Sequence, residues 1–169
     1  MKIIIAGGTG SLGTHLIGAL KDNHQIIVLT RKKNQKISSN IELVNYSDQS
    51  IETWAKFLKD SDAIINLVGE PIAQKKWSKN QKSKILNSRL ESIDKLSRAL
   101  ELIEHHPNII INASAIGYYK NSIDSMNEKS SRGSDFLADV CYQWENKARN
   151  EFSHKAGRFV ILRIGIVLD

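Results

Sequence analysis

The sequence predicts an α/β protein built on a doubly wound parallel sheet with helices on both faces, a three-layer αβα arrangement. Three observations carry this. Short Ile/Val/Leu runs without polar alternation recur along the chain, as strands covered on both faces require. Stretches with helical periodicity separate them. The first run, Ile3 to Ala6, feeds directly into Gly7-x-x-Gly10-x-x-Gly13, and Leu12, Leu16, Ile17 and Leu20 follow at helical spacing.

Strands are expected at 2–6, 25–29, 41–45, 62–68, 108–113 and 158–164, the last continuing its apolar run to Leu168. Helices are expected at 11–22, 51–59, 78–104 and 134–153. The long third helix places Ile85, Leu86, Ile93, Leu96, Leu100 and Ile103 on one face and stops before Pro107. The fourth carries Phe136, Leu137, Val140, Cys141, Trp144 and Ala148 on one stripe. Two polar segments, 31–40 and 117–133, read as long loops.

At 169 residues the chain is expected to form one domain, 1–169, large enough for a substantial core. Its start, one Lys and four apolar residues before the glycines, is unlike a signal peptide. No apolar run approaches the ~18–20 residues of a membrane span. Cys141 is the single cysteine, which excludes an internal disulfide and fits a reducing cytoplasm. The net charge of +6 is concentrated at Arg31, Lys32, Lys33 and Lys36 and at Lys75, Lys76, Lys79, Lys82 and Lys84. No nucleic-acid-binding motif or aromatic interleaving accompanies it, so these cations read as solvated faces or as contacts to a cofactor phosphate.

Strand, glycine turn and helix together predict a dinucleotide-binding βα unit. The glycines allow a tight turn and let backbone approach a pyrophosphate. The N–H groups at the helix start, near Ser11 and Leu12, then face an anion. Thr9 lies within the same turn. After the second strand, an Asp or Glu acceptor for the adenosine ribose would indicate NAD. Here Ile26-Ile-Val-Leu29 runs into Thr30-Arg31-Lys32-Lys33. A planar guanidinium and an ammonium in that place suit the 2′-phosphate of NADP(H).

Further motifs follow in order: Asn66-Leu-Val-Gly-Glu70-Pro-Ile-Ala73, Lys76-Trp77, Ser88-Arg89, Ser114-Ala-Ile-Gly-Tyr-Tyr119, Asp135-Phe-Leu-Ala-Asp-Val-Cys-Tyr-Gln-Trp-Glu145 and Leu162-Arg-Ile-Gly-Ile-Val-Leu168. With the glycine turn and Leu29-Thr-Arg31, they make the whole chain resemble the epimerase-family atypical short-chain dehydrogenase/reductases. Relatives of that kind are often labelled sugar-nucleotide epimerase or cell-division inhibitor. The resemblance implies an NADP(H)-binding Rossmann protein whose reaction is mostly unassigned. Such proteins are normally longer, with a C-terminal substrate region that these 169 residues lack. The resemblance also implies cofactor contacts from Leu67, Val68 and Gly69, with Glu70 beside them, and from Arg89, with Lys84 one or two turns before. A plain surface position stands as the alternative for Arg89.

The wider superfamily uses a Tyr-x-x-x-Lys helix and a Ser at the end of the fifth strand. Ser114 occupies the place of that Ser. In 134–153 the pair is absent: Tyr142 is followed four residues later by Asn146, and Cys141 by Glu145. Cys141 and Trp144 read as core residues. Tyr118 and Tyr119 could supply a phenol or form an aromatic lid. Glu70 and Glu128 are acid/base candidates or simply solvated groups. No metal is expected: adjacent His105 and His106 would point about 100° apart on a helix, and they read instead as complementing its C-terminal dipole.

Two functions fit. The first is an NADP(H)-dependent oxidoreductase or epimerase acting on a small carbonyl or nucleotide-sugar substrate, with Ser114 and Tyr118 or Tyr119 handling protons. The second is a non-catalytic NADP(H)-binding sensor or interaction module. A homodimer through the third and fourth helices is compatible with either, and neither function calls for nucleic acid or a membrane.

Overall fold

A computed structural model describes residues 1–167. In chain order the elements are β1 (Lys2–Ala6), α1 (Ser11–Leu20), β2 (Gln25–Thr30), β3 (Gln35–Lys36), β4 (Ile41–Asn45), α2 (Ile51–Ala55), β5 (Ala63–Asn66), α3 (Lys79–Leu100), β6 (Ile109–Ala115), α4 (Phe136–Phe152) and β7 (Arg158–Ile164). Short 3₁₀ turns follow α2 (Lys56–Leu58) and β6 (Ile116–Tyr118). One sheet holds the strands in the order β3-β4-β2-β1-β5-β6-β7. All neighbours are parallel except β3 and β4. The strand order reverses between β1 and β5, the place where such sheets open a ligand crevice.

Alternate residues of each central strand serve two cores. Ile4, Ala6, Ile27, Leu29 and Val44 face Trp54, Leu58, Ile93, Leu96, Trp144 and Phe152 from α2, the turn after it, α3 and α4. Ile3, Ile5, Ile26 and Val28 face the other way, against Leu16, Ile17 and Leu20 of α1. This is why the strands read as unbroken apolar runs. Each fully buried Ile or Leu contributes about 1.5–3 kcal/mol.

Three expectations change in the structure. The segment 31–40 is not all loop: β3 pairs antiparallel with β4, Gln35 opposite Leu43 and Lys36 opposite Glu42. Asn34 anchors this return, its Oδ1 accepting from the Asn45 N–H at 2.6 Å. The strand escaped sequence reading because both of its residues are exposed and polar. The second helix lasts only through Ala55 before tightening into its 3₁₀ turn. Finally, α3 ends at Leu100, so His105 and His106 lie beyond its last turn, exposed, and do not cap its dipole.

Side-chain caps fix where the two long helices begin. Ser78 accepts from the Gln81 N–H at the start of α3, and Asp135 accepts from the Ala138 N–H at the start of α4. Leu168, at the end of the predicted last run, lies outside the described residues.

Candidate functional site

A cleft of about 380 Å³ opens at the carboxyl ends of β1, β2, β4 and β5 and is walled on one side by α3. The glycine turn forms its floor. Gly7 adopts φ +80°, a left-handed conformation, and a Cβ there would also lie 3.0 Å from the backbone of Leu67 and Val68. Gly13 lets α1 approach the turn: a Cβ on it would sit 2.5 Å from Gly8 Cα and 2.8 Å from the Gly7 carbonyl oxygen. The first turn of α1 has no side-chain bond from its N-cap Gly10 and no acidic residue, and a helix start of this kind favours a nearby anion.

The far wall is held by a buried amide network. Asn66 Nδ2 donates to Asn112 Oδ1 (2.8 Å) and to Ser92 Oγ (3.2 Å), while Asn66 Oδ1 accepts from the Val68 N–H. Three elements, β5, β6 and α3, are thereby tied beneath the strip Leu67–Val68–Gly69. Arg89 braces the same strip from α3. Its Nη1 donates to the Ile85 and Glu70 carbonyls, and its guanidinium lies 4.9 Å from the Trp144 ring centre. A Cβ on Gly69 would meet that guanidinium at 2.8 Å. Burial lowers the pKa of Arg89.

Beyond the cleft, at the end of β6, lies a second polar cluster. Ser114 is buried, and its hydroxyl donates to Glu145 Oε1 at 2.7 Å. Arg163 of β7 grips the same carboxylate with two bonds, Nε to Oε1 at 2.7 Å and Nη2 to Oε2 at 2.8 Å. Arg149 adds a third cationic contact at 3.2 Å. Burial pushes Glu145 toward neutrality, but the bonds from Arg163 and Ser114 and the two guanidinium charges outweigh it and hold the carboxyl below its ordinary pKa. The remaining face of Arg163 organises both tyrosines. Its Nη1 donates to the Tyr119 hydroxyl at 2.8 Å, and its guanidinium stacks 3.6 Å from the Tyr118 ring centre. Cys141 closes the cluster from α4, near Ser114 and the Ala115 N–H. Burial raises its thiol pKa against the influence of these two neighbours and of Arg89.

The model of the NAD-dependent epimerase/dehydratase family matches residues 3–132. The chain belongs to that family. An epimerase family protein of Staphylococcus epidermidis, SERP0438, is 36% identical over 172 residues, covering 99% of this chain and 56% of that protein. The chloroplastic SDR39U1 homolog of Arabidopsis thaliana, also named an epimerase family protein, is 34% identical, with coverage of 99% and 49%. The chain thus spans about half the length of these relatives. Among solved structures, human epimerase family protein SDR39U1 (isoform 2) with NADPH superposes with a TM-score of 0.78 at 26% identity, over 96% of this chain and 53% of that one. UDP-glucuronic acid 4-epimerase of Bacillus cereus superposes equally well at 16% identity, with 96% and 56% covered, a likeness of fold.

For this epimerase-family chain, the structure gathers many sequence-predicted cofactor residues into the one cleft. Gly7, Thr9, Gly10, Thr30, Arg31, Leu67, Val68, Gly69 and Glu70 all line it. Others stand apart from its lining. Ser11 and Leu12 are exposed at the start of α1, and Gly13 is buried behind the turn. Lys32 is exposed, its N–H bonded to Thr30 Oγ1. Lys84 is exposed on α3, and Arg89 is half-buried behind Gly69. The Glu70 carboxylate is engaged by Gln81 and faces Lys75 at 3.9 Å. Glu128 contributes its carbonyl to Arg163. Ser114, Tyr118 and Tyr119 meet around Arg163, outside the cleft lining. Tyr142 is exposed, with the Arg132 guanidinium over its ring.

Sequence reading missed Arg163 and the role of Glu145. Each had a signal: an arginine inside the apolar run Phe159–Ile164, and a glutamate on the same helical face as Cys141 and Ala148. It also missed Tyr46, Ser47, Glu91 and Lys95, which line the cleft from β4's end and α3. Among the described residues no His/Cys/Asp/Glu group could hold a metal ion, and no helix is long and apolar enough to cross a membrane.

Proposed function

We propose that this protein binds NADP(H) in the cleft at the β1/β5 reversal and serves an oxidoreductase or epimerase reaction on a carbonyl or nucleotide-sugar substrate. One observation carries the cofactor reading: the glycine floor, where Gly7 and Gly13 leave no room for side chains, leads to a β2 end that presents Arg31 to the cleft. The fit is chemical as well as steric. Backbone and a helix start meet the pyrophosphate, and a guanidinium stands where a ribose 2′-phosphate is recognised. The NADPH named with the human relative supports the same choice. We place the protein in the cytoplasm, where its single cysteine would stay reduced.

Bound cofactor would supply or accept a hydride. The chain's own residues then divide the proton work by hydrogen-bond direction. Ser114 spends its proton on an ionised Glu145, so toward a ligand it offers lone pairs and accepts. Tyr119 accepts from Arg163, which leaves its own proton to donate. Tyr118 presents a ring stacked on the same guanidinium, an aromatic wall for the site. Arg163 thus holds Tyr119 in place as a phenol of the kind that a Tyr-x-x-x-Lys helix would otherwise provide.

A second reading is a non-catalytic NADP(H) sensor or interaction module. The observation that favours it is α4 itself, which turns Tyr142 to the exterior and presents Cys141 and Glu145 inward. The full-length relative and this chain, each incubated with NADPH carrying deuterium on one face and a panel of carbonyls and nucleotide-sugars, separate the two. Stereospecific label transfer that is lost in Tyr119→Phe and Ser114→Ala supports the enzyme. Tight NADPH binding with no transfer to any member of the panel supports the module.

A further inference from the structure

The adenosine end of the cleft has cations on two walls. Arg31 follows β2 and Lys95 belongs to α3; both line the cleft. Between them stands Tyr46, which is only 8% exposed and is pinned edge-on against Trp54 at 5.9 Å. The Lys95 ammonium sits 5.5 Å from the Tyr46 ring centre. The Tyr46 hydroxyl is in turn within electrostatic reach of Arg31 and Glu91. Both cations therefore stand near one buried aromatic ring.

Their environment is not neutralised at contact distance. Neither Arg31 nor Lys95 is within 4.0 Å of a carboxylate among the described residues, although Glu91 shares the cleft and Asp48 lies within reach of the Lys95 charge. Lys95 is half-buried and lines the cleft. A compact ammonium on a flexible stem complements a fixed guanidinium when both must meet one dianionic phosphate.

We propose that Lys95 is a second determinant of the cofactor's phosphorylated ribose, closing on a 2′-phosphoadenosine group from α3 while Arg31 holds it from β2. This rests on the NADP(H) reading above and adds a residue from a second element, α3. Tyr46 provides the apolar surface between the two cations. The clamp discriminates by charge: an adenosine without the 2′-phosphate would offer neither cation an anion.

The test is binding, not turnover. Dissociation constants for NADPH and NADH are measured for wild type, Lys95→Met and Lys95→Glu, together with competition by adenosine 2′-monophosphate and adenosine 5′-monophosphate. Lys95→Met is expected to weaken NADPH and the 2′-monophosphate by about tenfold and Lys95→Glu by more, while NADH and the 5′-monophosphate change by less than about twofold. Unchanged NADH binding also reports that the variants are folded. A wild-type preference for NADPH that survives both substitutions would overturn the Lys95 assignment alone, as would equal weakening of NADPH and NADH. Equal affinity of the wild type for the two dinucleotides would instead sink the NADP(H) reading on which it rests.

Discussion

Ser114 and Glu145 form a buried hydrogen bond of 2.7 Å between the end of β6 and the middle of α4, and Arg163 completes it by binding the same carboxylate twice. The pair joins three elements at the mouth of the sheet. It also fixes which way the serine proton points.

Glu145 is therefore expected to be a large, pH-dependent stabiliser. Its carboxyl is held below the ordinary value, so its contribution is fully present above the unfolded pKa of about 4.3 and disappears as pH falls through the lower folded value. Glu145→Gln leaves Arg163 facing a neutral group and should cost about 3 kcal/mol at pH 7. Urea unfolding of both proteins at pH 7 and near pH 3 checks this. The gap between them should narrow in acid, and a gap that stays constant would remove Glu145 from the account.

Gly13 is held to its identity by backbone. A Cβ would lie 2.5 Å from Gly8 Cα, so Gly13→Val should abolish nucleotide binding by pushing the turn out of shape. Gly18 sits in the same helix with nothing within 4 Å of an added Cβ. Gly18→Ala should raise stability by about 0.5–1 kcal/mol and leave binding intact. Thermal melts and NADPH fluorescence titrations on the two variants separate helix stability from turn geometry.

Asn66 links the core to the cleft. Replacing it by Ala leaves the buried Asn112 Oδ1 and the half-buried Val68 N–H without their partner, at a cost of about 2 kcal/mol. Because Leu67 and Val68 line the cleft, nucleotide affinity should fall as well, by about five- to tenfold. Loss of stability with unchanged affinity would show that the network supports the sheet without shaping the site.

The fold was legible in the sequence because parallel strands buried on both faces leave uninterrupted apolar runs, as in Ile3–Ala6 and Ile26–Leu29. The glycine turn was legible because its steric demands admit few other residues. β3 was not, since its two exposed polar residues carry no periodic signal. Cleft residues on α3 were hidden for a related reason. Glu91 and Lys95 look like any solvated helical pair until the fold sets α3 against the end of β4. The Ser114–Glu145–Arg163 cluster joins residues 31 and 18 positions apart, so it comes together only when β6 pairs with β7 and α4 packs against them.

The central claim is that Arg31 makes this cleft a site for a 2′-phosphorylated dinucleotide. The most direct measurement is a pair of fluorescence titrations, NADPH against NADH, on wild type and Arg31→Asp. The wild type should bind NADPH at least about tenfold more tightly, and Arg31→Asp should erase or invert that preference while NADH still binds. Equal affinities in the wild type, or a preference that Arg31→Asp leaves unchanged, would contradict the account.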